Sequence, residues 1–210
     1  IENNVVYDNL RKNAGGADGG SALSFVDVDD SIARGNTIYN NFGEGLVADR
    51  WTSNLTFEDN ISYDNKNANI YLTTTANPRI QRNLVFCTDD RDWWRDDKGK
   101  PPPGIMLRDE DFEGQSVKPP ASSGQVIINN IVVGCGINFG VSTQFDGGGL
   151  NGGLVANNTF VNARGENSVN NVLFEGDANY RNSSFVNNLI LQSIDTSVPT
   201  ATILTSLGDP

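Results

Sequence analysis

The chain of 210 residues has a formal net charge of −11, contains no His, and is rich in turn-forming residues, with 22 Gly and 28 Asn. The negative charge argues against nucleic acid as a partner, because phosphate binding needs basic patches. No apolar run in the sequence approaches membrane-spanning length, so a membrane is not an expected partner either.

A short module recurs along the chain: an apolar residue, two further residues, an Asn and a second apolar stretch, as in Ile127 to Val132. Its seven copies carry Asn4, Asn36, Asn60, Asn83, Asn130, Asn158 and Asn188. The steps from one Asn to the next are 32, 24, 23, 47, 28 and 30 residues. This loose period with one outlier predicts a solenoid.

Asn suits the sharp corners of such a coil for two reasons. It tolerates the left-handed backbone that a corner often needs, and its amide can satisfy stranded peptide groups. We therefore expect the seven Asn residues to take this conformation and to stack in a ladder from coil to coil. The alternative is a run of Asn-rich hairpins, which would not preserve the same frame seven times.

The repeat resembles the right-handed parallel β-helix family, the superfold of pectate lyases, polygalacturonases, alginate epimerases and phage tailspikes. The resemblance covers nearly the whole chain and implies an all-β, single-stranded parallel β-helix of about seven coils in one domain, 1–210. Ile1 already stands in a module, and Ala201 to Thr205 reads as an uncovered strand. We therefore expect a fragment without caps that could associate end to end, unless a partner or other segments close the ends.

A second strand follows each module and, in the family, lines the substrate groove. Its copies are predicted at 22–26, 45–49, 69–73, 104–108, 140–144 and 171–175. Alternation predicts inward side chains at Leu23, Phe25, Leu46, Ala48, Ile70, Leu72, Ile105, Leu107, Val141, Thr143, Val172 and Phe174. It predicts two outward rows: Ser24, Val47, Tyr71, Met106, Ser142 and Leu173, and then Val26, Asp49, Thr73, Arg108, Gln144 and Glu175.

Two insertions account for the 47-residue step. They span 88–103 and 109–123 and flank Arg108 from both sides. Since insertions decorate a solenoid without breaking its stack, we expect a functional cleft beside Arg108. Its walls should include Trp93 or Trp94 and Asp109 to Asp111. Tyr71 should lie on its floor, and Asp49 and Trp51 near its end.

The candidate ligand-binding residues have the chemistry of a sugar site, in which aromatic rings stack on the sugar and charged groups bind its hydroxyls. They are Tyr71, Trp51, Trp93, Trp94, Arg91 and Arg95. The alternative for each Trp is packing against the coil wall, with Arg–Asp pairs holding the loop.

Candidate catalytic residues are Arg108, Asp109 and Asp49. The resemblance implies that Arg108 could act as the base of a lyase-like elimination. Asp49 with an acid from Asp109 to Asp111 could instead serve a glycoside hydrolase, which needs two carboxylates. The His-containing sites of polygalacturonases and epimerases are absent. No cofactor or metal site is predicted firmly, although Asp27, Asp29 and Asp30, or Asp109, Glu110 and Asp111, could hold Ca²⁺; a solvated turn is the alternative.

Function is therefore predicted only in outline. We expect a secreted bacterial β-helix, extracellular or at the cell surface, that binds or cleaves a polysaccharide or oligosaccharide. The alternative is a non-catalytic structural or adhesive module, such as a surface-protein stalk or a phage fibre segment. Cys87 and Cys135 lie in consecutive coils, where either a disulfide or paired thiols fit.

Overall fold

The computed structural model describes residues 1–9, 20–95, 99–111, 121–144, 147–166, 169–175 and 178–192, together with the backbone of Thr202–Ile203. These residues form twenty short strands and one 3₁₀ helix, Arg91–Trp93. The strands are β1 (Val5–Tyr7), β2 (Leu23–Val26), β3 (Ile32–Arg34), β4 (Thr37–Tyr39), β5 (Leu46–Asp49), β6 (Thr56–Glu58), β7 (Ile61–Tyr63), β8 (Ile70–Leu72), β9 (Arg79–Gln81), β10 (Leu84–Phe86), β11 (Ile105–Asp109), β12 (Val126–Ile128), β13 (Ile131–Val133), β14 (Ile137–Thr143), β15 (Leu154–Ala156), β16 (Thr159–Val161), β17 (Asn170–Phe174), β18 (Ser184–Val186), β19 (Leu189–Leu191) and β20 (Thr202–Ile203).

Every third strand belongs to the same parallel sheet. The first sheet has the order β1-β4-β7-β10-β13-β16-β19, the groove sheet β2-β5-β8-β11-β14-β17-β20, and the third sheet β18-β15-β12-β9-β6-β3. One strand of each sheet makes a coil, and coils are numbered by their groove strand, so β11 lies in coil four. The predicted all-β parallel solenoid is confirmed. None of the described residues belongs to a helix with the length and apolar character needed to cross a membrane.

The predicted Asn ladder is present at the corner between the third and first sheets. In each step from Asn4 to Asn188, the backbone N–H and the side-chain Nδ2 of one Asn both donate to Oδ1 of the next, at 2.9–3.1 Å. From Asn36 onward, Nδ2 also donates to a backbone carbonyl of the preceding coil. Each internal Asn therefore ties three coils together.

The expectation that the ladder Asn itself takes the left-handed backbone is wrong. The positive φ falls on the residue before it, at Asn3, Gly35, Asp59, Arg82, Asn129, Asn157 and Asn187, with φ between 53° and 64°. Two neighbouring residues therefore meet the two requirements of the corner, a positive φ and a buried amide. One residue turns the chain, and the next supplies the buried amide.

In the groove sheet, the side chains alternate between the interior and the outer face as predicted. Leu23, Leu46, Ile70 and Ile105 form one inward file, and Phe25, Ala48, Leu72 and Leu107 form the next. The fifth strand is shifted by two residues from the predicted alignment. Phe139 and Val141 continue the inward files, and Gly140 and Ser142 stand beside Met106 and Arg108. A shift of two preserves the facing, because strand side chains alternate with period two.

The core is a stack of apolar files between the three sheets. The first sheet contributes Ile38, Val85, Val132 and Phe160, and the third contributes Phe57, Ile80, Ile127 and Val155, all fully buried. Each coil places its side chains on those of the next. The interior is therefore narrow and continuous, as a solenoid requires.

The corner between the first sheet and the groove sheet carries a second polar file that the sequence analysis did not identify as a ladder. Asn41 bonds Asn9 and Asn65 at 3.0 and 2.8 Å, and further along Asn171 bonds Asn138 at 2.6 Å. Between these two runs, Cys87 and Cys135 form a disulfide. Asn69 Nδ2 donates to Cys87 Sγ at 3.3 Å and links the first run to it.

Parts of several predictions lie outside the described residues. They include 96–98 in the first insertion, 112–120 in the second, and most of Ala201 to Thr205, of which only the backbone of Thr202–Ile203 is described. The prediction of bare, self-associating ends stays a prediction.

Candidate functional site

A cleft of about 480 Å³ opens on the outward face of the groove sheet beside Arg108. It is lined by Glu44, Asn67, Ala68, Tyr71, Arg95, Lys100, Pro103, Met106, Arg108, Glu110, Ile137, Leu173 and Glu175. These residues come from coils two to six and from the first insertion. The cleft therefore lies beside Arg108, and its lining differs from the predicted walls; its functional role stays a prediction.

Part of the apolar lining comes from the outward row of the groove sheet. Tyr71, Met106, Gly140 and Leu173 stand side by side on β8, β11, β14 and β17. A Cβ on Gly140 would lie 2.5 Å from Met106 Sδ, so glycine leaves the space that the thioether fills. Met106 and Leu173 thus form a continuous apolar strip.

Arg95, Lys100 and Pro103 bring the first insertion into the lining. At the start of the insertion, the backbone N–H and the hydroxyl of Thr88 donate to the Asp64 carboxylate at 2.8 and 2.7 Å. Burial raises the pKa of Asp64, although the bonds from Thr88 oppose this rise. Coil three therefore anchors one end of the insertion.

Coil six holds the same insertion through two charged residues. The Arg164 guanidinium donates to Asp89 Oδ1 at 2.5 Å, to the Gly134 carbonyl at 2.9 Å and to the Cys87 carbonyl. The Glu166 carboxylate lies 3.4 Å from Arg91 Nη1, and its backbone N–H donates to the Gly99 carbonyl at 3.0 Å. The described parts of the insertion, 88–95 and 99–103, are thereby fixed against the solenoid, which positions Arg95 and Lys100.

Glu110 lies at the end of β11 and is held by coil three. The Tyr71 hydroxyl donates to Glu110 Oε1 at 2.7 Å, and the Glu110 backbone N–H donates to Thr73 Oγ1 at 3.2 Å. Burial, followed by the nearby Glu110 charge, raises the pKa of Tyr71 far above its ordinary value. Tyr71 is therefore a neutral phenol at physiological pH that donates to Glu110.

The remaining acids lie at opposite ends of the lining. Glu44 precedes β5 and accepts hydrogen bonds from Ser21 Oγ at 2.8 Å and from Asn67 Nδ2 at 3.3 Å. Glu175 follows β17, in the outward file that contains Arg108 and Ser142. The lining thus places carboxylates around a group of cations, Arg95, Lys100 and Arg108.

Comparison with known families agrees with this architecture over the first part of the chain. A family model described as "Right handed beta helix region" matches residues 1–91, and the three parallel sheets continue the same coil beyond them. The chain has the fold of a right-handed parallel β-helix. No curated protein and no solved structure matches the chain.

The β-helix places three of the predicted site residues in the cleft: Arg108, Tyr71 and Arg95. Trp93 and Trp94 do not line it, and Arg95 and Lys100 stand where a Trp wall was expected. Trp94 is 9% exposed and donates from its indole N–H to the Thr88 carbonyl at 3.1 Å. The Arg91 guanidinium lies 4.6 Å from its ring centroid. These contacts favour the packing interpretation for Trp94.

Asp49 and Trp51 lie on coil two and do not line the cleft. The Asp49 carboxylate accepts from the backbone N–H of Arg50 at 2.6 Å and from its Nε at 3.1 Å. Burial raises the pKa of Asp49, although Arg50 opposes this rise. Trp51 is 40% exposed. Their predicted roles stay predictions.

Asp109 points into the interior of the β-helix, away from the cleft. Its Oδ1 accepts from Thr74 N at 2.8 Å and Ser122 Oγ at 2.5 Å, and its Oδ2 accepts from Ser122 N at 3.0 Å and Gly149 N at 2.9 Å. Asp109 as a whole is 1% exposed. This geometry ties coils three, four and five together and leaves no oxygen facing the cleft.

No metal centre is evident in the part of the chain that the structure describes. Within those residues, no three His, Cys, Asp or Glu side chains are grouped to hold an ion. Glu44 and Lys100 line the cleft as well and were not predicted. Neither lies in an outward row, so alternation gave no signal for them.

Proposed function

We propose that this β-helix binds an oligosaccharide in the cleft beside Arg108. The observation that carries the proposal is the lining itself, which combines donor-only cations and acceptor-only carboxylates with an apolar strip. Its volume is that of a small-molecule site, about 300–1,000 Å³ in most proteins. We propose binding of the oligosaccharide; cleavage of the bound oligosaccharide is measured in the same experiment.

Sugar chemistry matches this combination of groups. A sugar hydroxyl can donate to a carboxylate such as Glu110 and accept from a guanidinium such as Arg108 in the same geometry. The C–H faces of a sugar ring are apolar and suit the strip formed by Met106 and Leu173. Tyr71 adds a ring beside this strip, held by its bond to Glu110.

The disulfide supports an extracellular location for this activity. Disulfides persist in oxidising compartments and are rare in the cytosol. Cys87 and Cys135 are 5% and 0% exposed, so their bond is part of the buried structure. We infer a secreted or cell-surface protein.

A panel of neutral and acidic oligosaccharides tests the proposal. Binding is measured by calorimetry and cleavage by product analysis, each with and without Ca²⁺. Leu173→Trp fills the apolar strip, and Leu189→Trp makes the same change on the outward face of the first sheet, where Leu189 is 57% exposed. Thermal midpoints of both variants establish that they are folded.

We expect at least one oligosaccharide to bind. Leu173→Trp should weaken that binding at least tenfold, and Leu189→Trp should leave it unchanged. Absence of binding across the panel, or equal binding by Leu173→Trp and the parent, would overturn the proposal and favour a structural or adhesive module.

A further inference from the structure

The outward face of the first sheet carries no charged side chain. Each of its seven strands places one residue inward and the two beside it outward, because strand side chains alternate. The outward residues form two files along the solenoid, and apart from two Thr every member is aliphatic or aromatic. One file is Val5, Thr37, Ile61, Leu84, Ile131, Thr159 and Leu189, and the other is Tyr7, Tyr39, Tyr63, Phe86, Val133, Val161 and Leu191.

This face is also open to solvent. Seven of the twelve large apolar side chains that are exposed in the described part of the chain belong to it, at 37–63% exposure. The third sheet differs, because charged residues pair along its outward face: the Glu58 carboxylate lies 2.8 Å from Arg34 Nε and 2.9 Å from Arg82 Nη2. Large contiguous apolar patches on a protein surface mark interaction sites. The outward face of the first sheet is therefore a candidate docking surface.

Four stacked rings stiffen one half of the second file. The rings of Tyr7, Tyr39, Tyr63 and Phe86 have centroids 4.5–5.0 Å apart from one to the next, and neighbouring planes differ by at most 9°. Tyr39 and Tyr63 have both ring faces covered, so they present edges outward and offer no face on which a sugar could stack. An ordered apolar surface suits a protein partner instead, since aromatic residues are enriched and charged ones depleted in protein–protein interfaces.

The size of the face fits a second copy of the chain. Seven strands about 4.8 Å apart give a length of about 34 Å, and five residues across, three from each strand and one from each corner, give a width of about 16 Å. Two copies packed on this face would together bury about 1,100 Å², just above the roughly 1,000 Å² that a specific interface needs. An interface of this size predicts reversible association.

The order of side chains along the face favours self-association. In the second file, coils one to four carry the aromatic residues and coils five to seven the aliphatic ones. When two copies pack with their coils running in opposite directions, a two-fold axis passes through coil four and each Tyr lies opposite a smaller aliphatic residue of the other copy. The opposed pairs are Tyr7 with Leu191, Tyr39 with Val161 and Tyr63 with Val133.

The absence of charge on this face also favours a second copy over a partner of opposite charge. Each chain carries a net charge of −11, and carboxylates opposed across an interface would repel one another. An uncharged face avoids this repulsion. It also offers no charged group by which a basic partner could be recognised.

We propose that the chain forms an antiparallel dimer through the outward face of the first sheet, with the two β-helices side by side. The two sheets pack face to face, as the sheets of a β-sandwich do. The groove sheet lies beyond a corner and faces another direction, so the dimer leaves the cleft beside Arg108 open. The dimer does not depend on the proposed oligosaccharide binding, and it differs from end-to-end association, which uses the terminal coils.

Sedimentation equilibrium of the parent protein, from low to high micromolar concentration, tests the proposal. Leu84→Lys places a cation near the two-fold axis, where it meets the same cation of the other copy. Leu154→Lys is the matched control, because Leu154 lies on the outward face of the third sheet and its exposure of 37% nearly equals the 38% of Leu84. Thermal midpoints establish that the variants are folded. Mixing Leu84→Lys with Leu84→Glu tests the orientation, since position 84 faces itself in the antiparallel dimer.

We expect the parent to dimerise with a micromolar dissociation constant. Leu84→Lys should raise this constant at least tenfold, Leu154→Lys should leave it unchanged, and the mixture should recover the dimer. A parent that stays monomeric at every concentration would overturn the proposal and leave the face to a different protein. Association that Leu84→Lys does not weaken would overturn it in favour of the terminal coils. A mixture that does not recover the dimer would overturn the antiparallel arrangement.

Discussion

Asn130 donates to Asn158 Oδ1 twice, from its backbone N–H and from its side-chain Nδ2, both at 2.9 Å. The same Nδ2 donates to the Ile80 carbonyl at 2.9 Å. Its neighbour Asn129 makes the turn, with φ at 58°. Adjacent Asn residues thus have separate physical roles at one corner.

This division predicts that replacement by glycine lowers the free energy of unfolding much more at Asn130 than at Asn129. Asn130→Gly should lower the free energy of unfolding by about 1–3 kcal/mol, because buried peptide groups lose their partners. Asn129→Gly should change it by less than about 1 kcal/mol, since glycine adopts a positive φ readily. Chemical denaturation of both variants measures the difference. Equal losses at the two positions would contradict the division.

Asp109 and Glu110 form a second contrasting pair. Asp109→Asn turns N–H donors toward the donors of Thr74, Ser122 and Gly149, so we expect a loss of about 2–4 kcal/mol in the free energy of unfolding. Glu110→Gln keeps an acceptor for Tyr71 and should change stability little while altering oligosaccharide affinity. Thermal denaturation and calorimetry of the two variants test this. If Glu110→Gln lowered stability and Asp109→Asn did not, the assignment of Asp109 to the interior and Glu110 to the cleft would be wrong.

The disulfide should contribute strongly to stability. It closes a loop with a sequence separation of 48 residues, for which the chain-entropy model gives about 4 kcal/mol. Cys87→Ser with Cys135→Ser should lower the free energy of unfolding by about 2–4 kcal/mol. Reductant should destabilise the parent protein and leave the double variant unchanged. Insensitivity of the parent to reductant under unfolding conditions would contradict the prediction.

The Tyr71 phenol should stay protonated when exposed tyrosines ionise, because burial raises its pKa above the ordinary value of 10. The unfolded chain releases this proton near pH 10 and the folded chain does not. The contribution of the protonated Tyr71 phenol to the free energy of unfolding is therefore full below pH 10 and declines as the pH rises above 10. In a spectrophotometric titration, Tyr71→Phe should match the parent below about pH 11. Loss of one titrating phenol in that range would show that Tyr71 is exposed.

The fold was predictable because its main determinant recurs in the sequence. Seven Asn residues in one frame define the ladder, and alternation then gives the facing of Tyr71 and Arg108. The shift at β14 was not predictable, since a displacement of two residues preserves every inward and outward assignment. Extending the alternation by one residue from Arg108 would have placed Asp109 inside.

The walls of the cleft could not be derived in this way. The first insertion is positioned by Asp64 from coil three and by Arg164 and Glu166 from coil six. These contacts join residues up to 77 positions apart, and no local pattern marks them. Whether Trp94 packs or faces a ligand depends on such contacts, which is why the sequence left both interpretations open.

The most direct test of the proposed function is a crystal structure of the protein with an oligosaccharide bound. The account predicts a sugar ring over Met106 and Leu173, with its hydroxyls bonded to Arg108 and Glu110. A ligand bound on the first or third sheet, with the cleft beside Arg108 empty, would contradict it.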